Sequence, residues 1–341
     1  MMISRVGQVI SEGEVAFFER EVAVPREDEV VIQIKASALC GSDLHTYKAA
    51  HPTVPLPATI GHEFSGNIAA IGANVSHLSM GQRVTAEPCE ACGVCEACRK
   101  GEYGSCDKLS FIYRRGDGAM ADYITVKAAS VFPLPDSMSY EAGALVEPTA
   151  VAVHAVRRAD VRLGDNVLVI GAGAIGLITA ALCKRMGARE VIVSDMDPFR
   201  LEMAKTLGAT RTVDPGNGDD LAETVLLATG GRGVDKSFEC VGREATFVQA
   251  IASLRKKGLA TVVGIFEKPQ ITFSVMPLIN KELRIQGSQG YCWDFPTALH
   301  MAEELDIERL VTHTFKLEDL KTALDTALDR SARSIKVLLK P

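Results

Sequence analysis

Residue types that bind zinc occur close together in the first fifth of the chain. Cys40 is followed by Ser42 and His45 in a short segment that we predict to be a loop after a strand. His62 and Glu63 begin about 17 residues later. A thiolate, an imidazole and a carboxylate are all zinc ligands, and three protein ligands leave one coordination position open for a substrate. Cys40, His62 and Glu63 could therefore hold a catalytic zinc, although a cysteine or histidine taken alone is more often a core or structural residue, and the rest of the chain must decide between these interpretations.

A second group of thiols follows. Five of the nine cysteines lie between Cys89 and Cys106, while the other four are scattered. In a chain that we do not expect to be secreted, such clustering indicates a metal site rather than disulfides. Four thiolates would close a tetrahedral shell, so this metal would brace a loop. A C-x2-C-x2-C spacing starts at both Cys89 and Cys92, which allows two registers, and the spacing differs from the ferredoxin runs that hold iron–sulfur clusters.

A glycine motif in the middle of the chain predicts dinucleotide binding. It follows the apolar run Val167–Ile170, which is typical of a strand buried on both faces, and it opens an apolar helix. Gly171 would allow the tight turn, Gly173 would let the backbone approach a pyrophosphate, and Gly176 would let the helix pack on the strand. The residues that we assign to the cofactor in this motif are Gly171, Gly173, Ile175 and Gly176.

Polar and small residues at later strand ends extend this prediction. Asp195 ends the apolar run Val191–Val193, 19 residues after Gly176. A carboxylate there accepts hydrogen bonds from the ribose hydroxyls and repels a 2′-phosphate, which favours NAD over NADP. Three further strand ends are predicted to face the cofactor at Gly242, Gly264 and Ser288.

The elements that position these residues indicate two domains in the 341-residue chain. Strands are predicted at Val30–Lys35, Asn67–Ile71, Gly81–Val84 and Ala121–Val126, and six more at Val167–Ile170, Val191–Val193, Arg211–Val213, Val234–Val241, Leu259–Ile265 and Leu283–Gln286. Helices are predicted before about Met186 and at Pro198–Leu207, Asp219–Ala228, Arg243–Lys256, Trp293–Glu304 and Leu317–Leu328, with a closing strand at Ile335–Leu339. Six strands alternating with helices predict a doubly wound α/β domain at 151–290. Residues 1–150, completed by 291–341, would form the other domain.

Composition narrows the function classes. Hydrophobic residues make up 47% and charged residues 23% of the chain, as in globular proteins, and the net charge of −6 argues against nucleic acid as a partner. The first residues contain no apolar segment of the signal-peptide type. The longest apolar stretch, Val167–Cys183, is too short to span a bilayer and contains glycines. We therefore expect a cytoplasmic protein without a membrane partner.

In combination, these motifs resemble the zinc-dependent medium-chain dehydrogenase/reductase family. They occur in that family's order: Cys40-Gly41-Ser42-Asp43-x-His45, Gly61-His62-Glu63, the cysteine cluster, Glu147-Pro148 and the glycine motif. Glu147-Pro148, where simple alcohol dehydrogenases have a cysteine ligand, is similar to the sorbitol (polyol) and threonine dehydrogenase branch. The resemblance covers essentially the whole chain and implies a GroES-like β-barrel catalytic domain plus a Rossmann cofactor domain.

The resemblance also implies roles for single residues. Glu147 would bind the catalytic zinc or hold its water, and Ser42 and His45 would relay a proton to solvent. Arg200 would contact the ribose, and Arg114 and Arg115 could contact a polar or phosphorylated substrate, although a solvated basic pair is equally expected. A second, structural zinc would be held by Cys92, Cys95, Cys98 and Cys106, with Cys89 as a bystander.

The expected activity is hydride transfer from the secondary alcohol of a polyol or related compound to NAD, which gives a ketone. Zinc would act as a Lewis acid on the substrate hydroxyl, and a glutamate ligand would make the metal harder, which suits an oxygen-rich substrate. The alternatives are an L-threonine 3-dehydrogenase type of activity and a non-catalytic, zinc-stabilised dinucleotide-binding protein. The family further suggests a homo-oligomer, either a dimer or a tetramer.

Overall fold

A computed structural model describes residues 2–51, 53–112, 116–266, 268 and 270–341. Arg114 and Arg115, the proposed substrate contacts, lie outside the described residues. The chain forms two compact units, one of Met1–Ala150 with Cys292–Pro341 and the other of Val151–Tyr291. No helix among the described residues is both long and apolar enough to cross a membrane.

Strands supply most of the first unit and the central sheet of the second. Along the described chain they are β1 (Ile3–Ser11), β2 (Glu14–Glu21), β3 (Glu29–Ala38), β4 (Ala58–Thr59), β5 (Glu63–Ile71), β6 (Arg83–Ala86), β7 (Cys89–Glu90), β8 (Ser110–Phe111), β9 (Tyr123–Lys127), β10 (Val131–Pro133), β11 (Asn166–Ile170), β12 (Glu190–Ser194), β13 (Arg211–Val213), β14 (Val234–Glu239), β15 (Leu254–Val262), β16 (Arg284–Gly287), β17 (Val311–Lys316) and β18 (Lys336–Lys340).

Helices connect these strands. Along the same residues they are α1 (Gly41–Tyr47), α2 (Glu96–Arg99), α3 (Tyr140–Ala144), α4 (Val146–Ala159), α5 (Ala174–Arg185), α6 (Pro198–Thr206), α7 (Leu221–Ala228), α8 (Glu244–Ala252), α9 (Met276–Asn280), α10 (Phe295–Glu304) and α11 (Leu320–Leu328).

The first unit is organised around β3. In its main sheet the strands follow the order β10-β6-β5-β3-β18-β17, and β9 also pairs with β3. Alternate apolar side chains of β3, among them Val30, Ile32 and Ile34, are fully buried in a core with Phe64 and Ile68 of β5. A separate small sheet has the order β2-β1-β4. Burial of β3 therefore fixes the register of its neighbours, because a slip of one residue would expose that apolar face.

The second unit is a six-stranded parallel sheet in the order β13-β12-β11-β14-β15-β16. All five residues of β11 are buried, and the last four are the apolar run Val167–Ile170 that predicted a strand covered on both faces. The sequence order of the strands reverses between β11 and β14, and ligands of such sheets bind at this switch point, beyond the carboxyl ends of the strands. The doubly wound α/β fold is thus confirmed.

Some predicted element bounds were wrong. Helix Arg243–Lys256 ends at Ala252, because Leu254 is fully buried as the first residue of β15 and pairs with Val234. Lys257 then adopts a left-handed backbone conformation, with φ of 61°, where the pairing of β15 with β14 shifts register. The charged residues beside Lys257 had been assigned to the helix from sequence. The segment after Cys40 was predicted to be a loop and forms α1.

Candidate active site

Strand pairing brings the first set of predicted zinc ligands together. Ala38, the last residue of β3, pairs with Glu63, the first residue of β5. Cys40 follows β3 by two residues and His62 immediately precedes β5, so both lie at the same end of this strand pair. The ligand atoms of Cys40, His62 and Glu63 lie within 4.8 Å of one another. The structure therefore groups one sulfur, one nitrogen and one oxygen donor, which is a donor set that fits zinc.

The charges around this cluster also fit a cation. His62 and Glu63 are buried, and Glu147 in the first turn of α4 is buried in the same neighbourhood. Burial opposes a charged imidazole, but the negative charges of Cys40, Asp43 and Glu147 outweigh it and raise the pKa of His62 well above 6.5. Several anions packed together in low dielectric thus favour additional positive charge at this point.

Asp43 is a site residue that the sequence analysis missed as a functional group. It is buried in α1, where its Oδ2 accepts a 2.9 Å hydrogen bond from the Cys40 backbone N–H. Its Oδ1 accepts a 3.0 Å bond from the Gly61 N–H and lies 3.9 Å from Nδ1 of His62. One carboxylate therefore holds the backbone at both ligand segments and faces the imidazole, as outer partners of metal ligands do. Its position within the Cys40–His45 motif was the signal that could have found it.

Lys336 is the second residue that was missed. Its Nζ donates to both carboxylate oxygens of Glu63, at 2.5 Å to Oε1, and to the Leu39 carbonyl at 3.1 Å. Burial opposes the charge of this lysine, but Glu63, Cys40 and Glu147 outweigh that effect and raise its pKa above 10.5. The lysine reaches the site because β18 pairs with β3. No sequence motif near Cys40 predicts its presence there.

The two residues predicted to relay protons both lie on α1. Ser42 is half-buried and borders a small cavity that Thr46 and His51 also line. His45 is half-buried but is not among the residues that line this cavity. His51 therefore shares a cavity with Ser42, while the relay through His45, three residues further along α1, stays a prediction.

The structure brings together the four cysteines of one of the two possible spacings, the one that starts at Cys92. Within the described chain, the four sulfurs that lie within 4.8 Å of one another are those of Cys92, Cys95, Cys98 and Cys106. Cys89 is buried in β7, which pairs with β8, outside this group.

Backbone N–H groups point at these sulfurs. The Cys92 and Lys108 N–H groups each donate to Sγ of Cys106 at 3.3 Å. Hydrogen bonds from the Val94 and Cys95 N–H groups lower the pKa of Cys92 to about 6. Desolvation and the neighbouring sulfurs of Cys95 and Cys106 instead raise the pKa of Cys98 to about 12. The grouping of four sulfurs fits a tetrahedral metal, which would bind all four as thiolates.

The turn after β11 has the features of a phosphate-binding loop. Gly171 has φ of 99°, which favours glycine, and a Cβ on Gly176 would lie 1.8 Å from the Gly171 carbonyl oxygen. A Cβ on Gly173 would meet no atom within 4 Å, so the backbone is open to an approaching group there. Gly173 is the N-cap of α5, whose free N–H groups attract phosphate, and half-buried Ile175 lies in its first turn. These residues fit a dinucleotide.

Asp195 follows β12 beside this turn. Its Oδ2 accepts a 2.6 Å hydrogen bond from the Ala172 N–H, and its Oδ1 accepts a 3.0 Å bond from the Asp197 N–H. The carboxylate is therefore fixed against the glycine turn and is half-exposed. Arg200, predicted to contact the ribose, forms an ion pair with Asp197 at 3.5 Å.

The remaining predicted cofactor residues follow β14, β15 and β16. Gly242 and Gly264 pack backbone to backbone, since a Cβ on Gly264 would lie 2.3 Å from the Gly242 nitrogen. This packing alone requires glycine at both positions. Ser288 donates its N–H to the Val262 carbonyl, and its buried Oγ has no hydrogen-bond partner among the described residues.

Comparison with known proteins agrees with these sites. Residues 26–136 match the family model of the alcohol dehydrogenase GroES-like domain, and residues 174–304 match that of the zinc-binding dehydrogenase. A sorbitol dehydrogenase of Bacillus subtilis is 37% identical over 320 residues, which are 92% of this chain and 90% of that protein. The chain belongs to the zinc-dependent medium-chain dehydrogenase/reductase family. It is an oxidoreductase, and the predicted GroES-like domain is confirmed.

Two further relatives bear on substrate and cofactor. An L-threonine 3-dehydrogenase of a Marinomonas species is 34% identical over 313 residues, which are 89% of this chain and 91% of that protein. The crystal structure of a zinc-binding dehydrogenase from Sinorhizobium meliloti, described as bound to NADP, is 28% identical with a TM-score of 0.93 and covers all of both chains. The named relatives thus differ in substrate, and the Sinorhizobium meliloti protein binds NADP.

Proposed function

We propose that the protein oxidises a secondary alcohol of a polyol or related hydroxyl compound to a ketone, with NAD as hydride acceptor. The observation that supports this most directly is the grouping of Cys40, His62 and Glu63 within 4.8 Å, with buried Glu147 close by. These residues would hold a zinc, and Cys92, Cys95, Cys98 and Cys106 would hold a second one. A fourth, oxygen-donating residue in place of a thiolate suits an oxygen-rich substrate.

The chain's own residues would bind, orient and carry protons. Zinc held by Cys40, His62 and Glu63 would supply Lewis acidity at the substrate hydroxyl, and NAD held at the glycine turn would supply the hydride acceptor. The substrate hydroxyl also loses a proton, for which the Ser42 hydroxyl is the predicted first acceptor and His45 the predicted exit to solvent. His51 borders the same cavity as Ser42 and is a second candidate for that exit. An imidazole suits this step because its ordinary pKa is close to neutral.

NAD is the proposed cofactor because of Asp195. Its carboxylate is fixed beside the glycine turn by two backbone N–H groups, where a 2′-phosphate would meet a negative charge. Titration of the protein with NAD and with NADP tests this proposal. Tighter binding of NADP by the wild type, or no gain in NADP affinity for Asp195→Ser, would contradict it.

A substrate screen that follows NADH absorbance tests the activity. We expect clear turnover with sugar alcohols, cyclitols or their phosphates, and little with simple primary alcohols. L-Threonine is included because of the alternative amino-alcohol activity, and preference for it would replace polyols as the substrate class. Cys40→Ser should abolish turnover but retain NAD binding, while Cys183→Ser, which changes a buried thiol of α5 that belongs to neither candidate metal cluster, should retain both. Full turnover after removal of all metal would refute the proposed mechanism.

A homo-oligomer, dimer or tetramer, is also proposed. β16 is an edge strand of the second unit's sheet, and exposed apolar residues lie on β16 (Ile285), on α9 (Met276 and Ile279) and directly before α9 (Val275). An uncovered edge with apolar neighbours favours association. Analytical ultracentrifugation should show more than one chain per particle. A reducing, cytoplasmic location is proposed because none of the nine cysteines forms a disulfide.

A further inference from the structure

The second unit contains a fully buried carboxylate at the carboxyl end of β14. Glu239 has no exposed surface. Its Oε1 accepts hydrogen bonds from the Val241 N–H at 3.0 Å, the Gly242 N–H at 2.8 Å and the Thr246 hydroxyl at 2.7 Å. Its Oε2 has no hydrogen-bond partner, and no lysine or arginine of the described chain forms an ion pair with it. Three donors on one oxygen hold negative charge there, yet a buried charge without a counter-ion is costly.

The position of Glu239 in the sheet suggests what compensates this charge. The phosphate-binding turn follows β11, and Asp195, which would take the adenosine ribose, follows β12 on one side of it. In the proposed dinucleotide complex, the nicotinamide half must therefore extend to the other side, over the ends of β14 and β15. A Cβ on Gly264, in the loop after β15, would lie 2.7 Å from Oε2 of Glu239. The carboxylate of Glu239 therefore lies directly against the glycine backbone of this loop.

The nicotinamide ring is positively charged when oxidised and neutral when reduced. We propose that Glu239 makes the second unit bind NAD more tightly relative to NADH than it otherwise would, by placing a fixed negative charge under the nicotinamide half. This inference rests on the proposed dinucleotide binding. The charge acts on one redox form only, whereas a purely structural role for Glu239 would change the affinities for both forms alike. The consequence for turnover is easier release of NADH.

Glu239→Gln tests the proposal, because it keeps the shape and the accepting Oε1 but removes the charge. The dissociation constants of NAD and NADH are measured separately by calorimetry for the wild type and the variant. We expect the ratio of the NADH constant to the NAD constant to fall by at least about threefold, the size of a single charge screened in a partly solvated protein. An unchanged ratio, including equal weakening of both ligands, would overturn the proposal.

Two variants of half-buried Thr246 complete the design. Thr246→Val removes one hydrogen bond to Glu239 without changing charge, so the ratio should stay at the wild-type value. Thr246→Lys places a cation beside the carboxylate and should lower the ratio as Glu239→Gln does, which keeps the test decisive if that variant does not fold. A wild type that binds neither dinucleotide would contradict the proposed function. Binding of both, with a ratio that neither Glu239→Gln nor Thr246→Lys changes, would contradict this inference alone.

Discussion

Replacement of Lys336 by methionine should destabilise the first unit, and added zinc should reverse part of the loss. The side chains of Lys336 and Glu63 are 5% and 1% exposed, so the substitution leaves a buried carboxylate without its partner. Breaking a buried ion pair in this way costs about 3–5 kcal/mol. At 2–4 °C per kcal/mol for a unit of this size, the thermal midpoint should fall by roughly 6–20 °C.

Differential scanning calorimetry with chelator and with added zinc measures this effect. Zinc bound at Cys40 and His62 would compensate the charge of Glu63, so the fall should be clearly smaller when zinc is present. Lys340→Met is the matched control, because Lys340 lies on the same strand in an ion pair with Glu141 that is half-exposed and should contribute less than about 1 kcal/mol. An unchanged midpoint for Lys336→Met, or an equal fall with and without zinc, would refute the reasoning.

Three other predictions concern the lobe of cysteines, the glycine turn and a buried acid. Cys95→Ser should lower the metal content by one zinc per chain in elemental analysis, whereas Cys89→Ser should not; equal effects would contradict the assigned register. Gly176→Ala should weaken NADH binding at least about tenfold in a fluorescence titration, since its Cβ would lie 1.8 Å from a carbonyl oxygen, and wild-type affinity would exclude that packing role. Burial raises the pKa of Glu87 to about 7, so its ionisation opposes folding as pH rises from about 4.5 to 7. Glu87→Gln should therefore be roughly 2–3 kcal/mol more stable than wild type at pH 8 but not at pH 4, in urea unfolding; equal gains at both pH values would contradict this.

Local chemistry explains what could be predicted from sequence. Zinc ligands must be thiolates, imidazoles or carboxylates, and a phosphate-binding turn must contain glycine. The residue types of Cys40, His62 and Gly171 were therefore enough to make them candidate site residues. The buried strands β11 and β12 of the second unit are similarly visible as the apolar runs Val167–Ile170 and Val191–Val193, because both faces of a parallel sheet are covered at its centre, whereas the edge strand β16 is largely exposed. These features need no knowledge of distant partners.

What the sequence could not give depends on distant contacts. Lys336 and Glu63 are 273 residues apart, and only the pairing of β18 with β3 brings them together. The start of β15 was missed for the same reason, since Leu254 is fixed by its pairing with Val234 rather than by its charged neighbours. Asp43 was visible in its motif, but its two backbone bonds depend on α1, which had been predicted as a loop.

The register around Ala38 explains why these remote residues form one site. Ala38 pairs with Glu63 on one side and with Leu338 on the other, so the end of β3, the start of β5 and the middle of β18 lie side by side there. A slip of one residue in either pairing would turn Glu63 or Lys336 to the opposite face and separate the carboxylate from the ammonium. The buried core of β3 prevents that slip. The geometry of the candidate zinc site is therefore a consequence of apolar packing in β3, and the chain must fold through its last strand, β18, before the charges of the site are balanced.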